Sequence, residues 1–155
     1  ENVTHIKPHG ALNNMACEDI HLATTLAKII KRINPELIYL VPTGSKMEQA
    51  AKKLDMKIAC EIFADRNYED DGNLVSRKKS HALITDPELA KKHVLKMVQT
   101  QSLNCHSGKQ IPCEIDSVCT LLSSVPLLFF RTNISSISWC QMGKWTVADP
   151  PLMPF

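Results

Sequence analysis

Leu37-Ile38-Tyr39-Leu40-Val41 is an unbroken apolar run, followed by Pro42-Thr43-Gly44-Ser45 and then by Lys46 to Leu54. Apolar residues five in a row suit a strand covered on both faces, as in a parallel sheet. The Pro-Thr-Gly-Ser stretch is turn chemistry. In the segment after it, Met47, Ala50, Ala51 and Leu54 recur at helical spacing, so strand, turn and helix follow one another within eighteen residues.

The same alternation extends in both directions. Upstream, Val3 to Ile6 reads as a strand ending at Lys7-Pro8-His9-Gly10. Asp19 then starts a helix whose apolar stripe is Leu22, Leu26, Ile29, Ile30 and Ile33, and Asn34-Pro35 stops it. Downstream, Lys57 to Phe63 is the next strand, and a polar, charged loop runs from Asp65 to Ser80. Asp86 caps and Pro87 opens a helix to about Thr100, with Leu89, Val94, Met97 and Val98 as its buried stripe. Asp116 to Cys119 begins another strand. Strands and helices in strict alternation predict an α/β class with parallel strands and flanking helices. Three or four such units are visible, whereas eight close a barrel, so the expected architecture is a partial (β/α) barrel.

The chain has 155 residues, 44% hydrophobic and 22% charged, with a formal net charge of +2. That composition is ordinary for a globular domain. It gives no strong pull toward nucleic acid or membrane, and no nucleic-acid or membrane partner is expected. Six cysteines at irregular spacings, with no C-x-x-C pair and no signal peptide, predict free thiols in a cytoplasmic protein and no structural zinc site, and no metal-ligand set is assigned. The sequons at Asn2 and Asn133 are read as chance matches in that setting. The first residue is Glu1 rather than Met, and a strand-like segment follows at once, so the chain is expected to be an internal piece of a longer protein. After Cys119 the texture changes to an apolar run without period, then Ser-rich and Pro-rich segments. Residues 1–119 are therefore expected to form one domain, and 120–155 a divergent, poorly ordered tail.

Two segments carry candidate chemistry. Lys7-Pro8-His9-Gly10 puts a cation and an imidazole at the carboxyl end of a parallel strand, where α/β folds bind ligands. A turn with solvated polar residues is the alternative. Ala64-Asp65-Arg66 ends a second strand with a carboxylate and a guanidinium, and Arg77 follows in the same loop. Asp65 suits a general base or a metal ligand, and Arg66 with Arg77 suits a bidentate clamp on a carboxylate. The alternative is an Asp–Arg pair that stiffens the loop. Glu69-Asp70-Asp71-Gly72 lacks the spacing and closing Glu of a calcium loop. His21, His81, His93 and His106 are read as structural or surface residues, and Cys17 and Cys60 as small core residues. No phosphate-binding P-loop is present.

His5 to Asn14 resembles the V-K-P-H-G-A-L-Y-N signature of the LamB/YcsF family, and Glu61 to Arg77 resembles its E-x-F-A-D-R-x-Y-x-x-D-G-x-L-x-x-R signature. Ala82 to Asp86 follows where the family carries G-A-x-I-x-D. The resemblance covers about Val3 to Cys119. It implies a partial barrel of the glycoside hydrolase/deacetylase type and the activity of the 5-oxoprolinase A subunit. That activity is the ATP-dependent opening of the 5-oxoproline lactam to glutamate, alongside partner subunits B and C. Carried over position by position, Lys7, His9 and Asp65 are the catalytic candidates, and Arg66, Tyr68, Arg77 and Asn14 are the substrate-binding ones.

The sequence also departs from the pattern. Asn13 stands for the signature's Tyr, and His81 for a Gly. The family's D-L-N-x-D-x-G-E and H-A-G-D segments have no counterpart here, and Thr120-Leu121 replaces V-H-G-D-x-P after Cys119. The resemblance thus implies a piece that is inactive alone. A carbohydrate-type hydrolase or deacetylase and a non-catalytic degenerate product are the competing readings.

Overall fold

The computed structural model describes residues 3–120, 138–141 and 144–146. The order is β1 (His5–Ile6), α1 (Gly10–Glu18), α2 (Ile20–Ile33), β2 (Ile38–Pro42), α3 (Lys46–Lys53), β3 (Ile58–Phe63), α4 (Pro87–Thr100), β4 (Ser102–Asn104), β5 (Gln110–Pro112), β6 (Ser117–Thr120), β7 (Ser138–Gln141) and β8 (Lys144–Thr146). One sheet runs β1-β2-β3-β6-β7-β8, parallel from β1 to β7 with β8 antiparallel at the end. β4 and β5 form a separate antiparallel hairpin. Most of the tail expected to be poorly ordered lies outside the described residues; β7 and β8 belong to it and extend the sheet.

Local chemistry explains the boundaries. The Asp19 carboxylate accepts from the amides of His21 and Leu22 at the start of α2. The Asp86 carboxylate accepts from Glu88 and Leu89, and Pro87 occupies the first position of α4. Helix α1 has no such marker. His9 at its N-cap makes no side-chain capping bond, and Gly10 enters it at φ 62°, which leaves no sequence signal of a start. The β4–β5 hairpin is equally silent in sequence, because three-residue strands show too little period.

Strand alternation sorts the sheet into two faces. Tyr39, Val41 and Cys60 pack with Ala23, Ala27, Ile30, Met47, Ala50 and Ala51 against the helices. Ile62 and Val118 pack with Tyr68, Val94, Met97 and Leu103 in a second cluster under α4. Lys7, Glu61, Phe63 and Cys119 belong to the opposite face.

Two stripes differ from expectation. On α2 the fully covered residues are Ala23, Ala27 and Ile30; Leu22 and Leu26 are partly covered, and Ile29 and Ile33 are 50% and 71% exposed. On α4, Ala90 takes the place expected of Leu89, which is exposed. In both helices small alanines face the sheet because they let the helix axis come close, which turns the larger aliphatics aside. No helix among the described residues is long and apolar enough to cross a membrane.

Candidate active site

Lys7 leaves the end of β1 and forms an ion pair with Glu61 of β3, reaching past the intervening strand β2. Its ammonium also donates to the Cys119 thiol sulfur at 3.4 Å and lies 5.3 Å from the centroid of the Phe63 ring. The Glu61 carboxylate is completely buried; burial raises its pKa, and Lys7 opposes that shift. Glu61, the partner of the candidate Lys7, is a residue that the sequence reading did not single out. Its signal was present: a lone carboxylate inside the apolar strand Ile58–Phe63, where an ionised side chain persists only when paired.

Asp65 and Arg66 follow β3 and are both buried. Arg66 donates from Nη2 to the Val75 carbonyl at 2.7 Å, which ties the loop back onto the strand end. Burial and the neighbouring Arg77 lower the Arg66 pKa, while the Asp65 carboxylate opposes them. Tyr68 is in the core, and its hydroxyl oxygen accepts from the Phe63 amide at 2.9 Å. His93 of α4 stacks on the Tyr68 ring at 6.3 Å, and burial lowers its pKa. His81, where the signature carries Gly, stacks on His106 with ring centroids 4.0 Å apart.

Asn14, Arg66, Tyr68 and Arg77 line one cleft of about 350 Å³ at the carboxyl ends of β2 and β3. They come from three places: α1, the end of β3 and the far limb of the Asp65–Ser80 loop. Thr43 and Ser45 after β2 complete its polar wall. Lys7, His9 and Asp65 do not line it; His9 is exposed at the start of α1, and Lys7 is engaged with Glu61. The structure thus brings the four binding candidates together and leaves the three catalytic candidates apart from them.

A second group, Glu48, Cys60 and Glu114, has ligand atoms within 4.8 Å of one another. The Lys52 ammonium lies 2.8 Å from a carboxylate oxygen of each Glu, so the protein supplies the cation there. Burial pushes the Cys60 thiol up to about 12, which keeps it protonated and a poor ligand.

Comparison with known proteins decides the kinship. The LamB/YcsF family profile matches residues 1–121. The chain belongs to the LamB/YcsF family. It is 50% identical over 115 residues to the 5-oxoprolinase A subunit of Clostridium beijerinckii, covering 74% of this chain and 45% of that protein. It is 44% identical over 132 residues to the 5-oxoprolinase A subunit of Campylobacter jejuni subsp. doylei, covering 85% and 52%. The crystal structure of the lactam utilization protein from Thermus thermophilus superposes with a TM-score of 0.67 at 34% identity, over 75% of this chain and 47% of that one. The chain spans about half the length of the relatives it matches. Its parallel strands and flanking helices form a half-barrel of this family's α/β fold, as the sequence predicted.

Proposed function

We propose that the chain is the carboxylate-binding part of a protein like the 5-oxoprolinase A subunit. The observation that carries this reading is the convergence of Arg66, Arg77 and Asn14, from three segments, on one 350 Å³ cleft. Two guanidiniums with an amide beside them suit a carboxylate held bidentately. A lactam bearing one carboxylate has that chemistry. The C. beijerinckii relative is named for 5-oxoproline, and the T. thermophilus one for the use of lactams.

In this reading Arg66 and Arg77 anchor the substrate carboxylate. The family resemblance gives Lys7, His9 and Asp65 to the reacting end, but none of them lines this cleft, so no contact with the lactam carbonyl is assigned to them. ATP, with subunits B and C, supplies activation of the amide carbonyl by phosphorylation. The sequence offers no P-loop, so no residue here is assigned to the nucleotide and no step is derived through it. The thiols of Cys17, Cys60, Cys105 and Cys113 are in no disulfide, which favours a reducing cytoplasm as its setting.

A neutral sugar, the substrate class of the hydrolase/deacetylase reading, has no use for paired guanidiniums. Titrating the chain with 5-oxoproline and with N-acetylglucosamine, followed by NMR of the arginine side chains, tests the choice. Saturable shifts at Arg66 and Arg77 with 5-oxoproline alone support the proposal. Shifts with the sugar alone support the carbohydrate reading, and none with either supports a non-catalytic remnant.

A further inference from the structure

Helix α4 carries an imidazole that stands behind the cleft rather than in it. His93 precedes Val94, which packs with Met97 against Ala64 and Tyr68 in one buried cluster. The ring reaches two of the residues that follow β3. It stacks on Tyr68, with centroids 6.3 Å apart and planes 24° from parallel. It also bonds to the Arg66 backbone; that bond favours the protonated ring, so the ring donates and the backbone accepts. Arg66 and Tyr68 both line the cleft, whereas His93 does not. Val75 holds the guanidinium end of Arg66 through Nη2, and His93 holds its backbone end.

This arrangement suits a neutral ring. His93 Nε2 is buried and has no hydrogen-bond partner among the described residues. With the other nitrogen donating to Arg66, a neutral ring leaves only a lone pair there. A protonated ring would bury an N–H without an acceptor, which costs more. The helix neighbours three and four positions away are Leu89, Ala90, Lys96 and Met97, so α4 offers a cation and no carboxylate. Burial first, and Lys96 with it, lower the His93 pKa, while the bond to Arg66 opposes them. A ring released into water takes its proton at the ordinary value of 6.5, and the packed ring only at lower pH. The packed state is therefore favoured fully above the ordinary value and loses ground as pH falls below it. Arg66 stays cationic and Tyr68 protonated across that range, so of the three groups only the imidazole titrates there.

We propose that His93 is a positioning residue of this cleft: neutral, it clamps the Arg66–Tyr68 segment against α4 and so holds the Arg66 guanidinium at the wall, and on protonation it releases that segment. The proposal rests on the carboxylate reading above and adds to it a residue outside the cleft and a control by pH.

The test begins with NMR of the ligand-free 155-residue chain, following the His93 ring and the Arg66 side chain from about pH 7.5 to about pH 5. The Arg66 signals are expected to move with the His93 midpoint. His93→Gln keeps a donor for the Arg66 backbone and cannot titrate, so its Arg66 signals should stay constant. His93→Phe keeps the stacked ring and loses the bond, so its Arg66 signals should differ from the parent's at neutral pH. Calorimetric titration with 5-oxoproline, whose carboxylate is ionised throughout, should show binding to the parent about threefold weaker at pH 5 than at pH 7. His93→Gln should bind equally at both. Arg66 signals that stay still while His93 titrates, or a pH dependence that survives His93→Gln, overturn the proposal; 5-oxoproline binding that persists in that case leaves the carboxylate reading standing. If Arg66 follows His93 and no 5-oxoproline binds at either pH, the positioning role stands and the carboxylate reading fails.

Discussion

Lys7 and Glu61 meet on the sheet face opposite the helices, although β2 separates their strands and 54 positions separate them in sequence. The two side chains are 9% and 0% exposed, so neither charge is shared with bulk water. Removing one partner strands the other. Lys7→Met is expected to cost about 3–5 kcal/mol at neutral pH, measured by urea denaturation.

The same pair predicts a pH dependence. Burial raises the Glu61 pKa above its unfolded value, so the folded state holds that proton more tightly. Glu61 therefore contributes stability that is fully present below the unfolded pKa and lost as pH rises through the folded one. Without Lys7 the folded pKa climbs further. The Lys7→Met penalty should accordingly be smaller at pH 5 than at pH 8, where the unfolded carboxyl has ionised and the buried one has lost its partner. A penalty that grows on acidification contradicts the pairing.

Tyr68 gives a more local prediction. Its hydroxyl oxygen accepts from the buried Phe63 amide. Tyr68→Phe keeps the ring in place and orphans that amide, for an expected loss of about 1–3 kcal/mol in the same denaturation experiment. A neutral substitution would show that water reaches Phe63 after all.

Thiol chemistry reports on the cleft wall. Burial, first of its causes, pushes Cys17 up to about 11, and Cys113 likewise to about 11. At pH 8 only about one molecule in a thousand then carries a thiolate at either position. Native labelling with iodoacetamide should be slow at both, and fast once urea unfolds the chain, with mass spectrometry locating the label. Rapid labelling of native Cys17 contradicts its placement.

How much was legible beforehand depended on whether the signal was local. Asp86-Pro87 marks its helix start in sequence, and α4 begins there. The apolar run at Leu37–Val41 became β2, displaced by one residue. Helix α1 had neither cap nor strong stripe. The stripe on α2 was visible, but which of its flanks meets the sheet depends on the close approach that Ala23 and Ala27 allow. Ile29→Lys should therefore change stability by less than about 0.5 kcal/mol, whereas Ile30→Ala should cost about 2–5 kcal/mol. The pairing of Lys7 with Glu61, and the convergence of Asn14 with Arg66 and Arg77, are products of tertiary contact. Their residue types could be singled out along the chain, but their meeting place could not.

The most direct test of the account compares 5-oxoproline with 2-pyrrolidinone, the same lactam ring without its carboxylate, by calorimetric titration of the chain and of its Arg77→Ala variant. Arg77 is exposed, so the variant should fold normally. The account predicts that 5-oxoproline binds the parent chain, that 2-pyrrolidinone does not, and that Arg77→Ala weakens 5-oxoproline binding about tenfold or more. Equal affinity for the two lactams, or 5-oxoproline binding unmoved by Arg77→Ala, would contradict it.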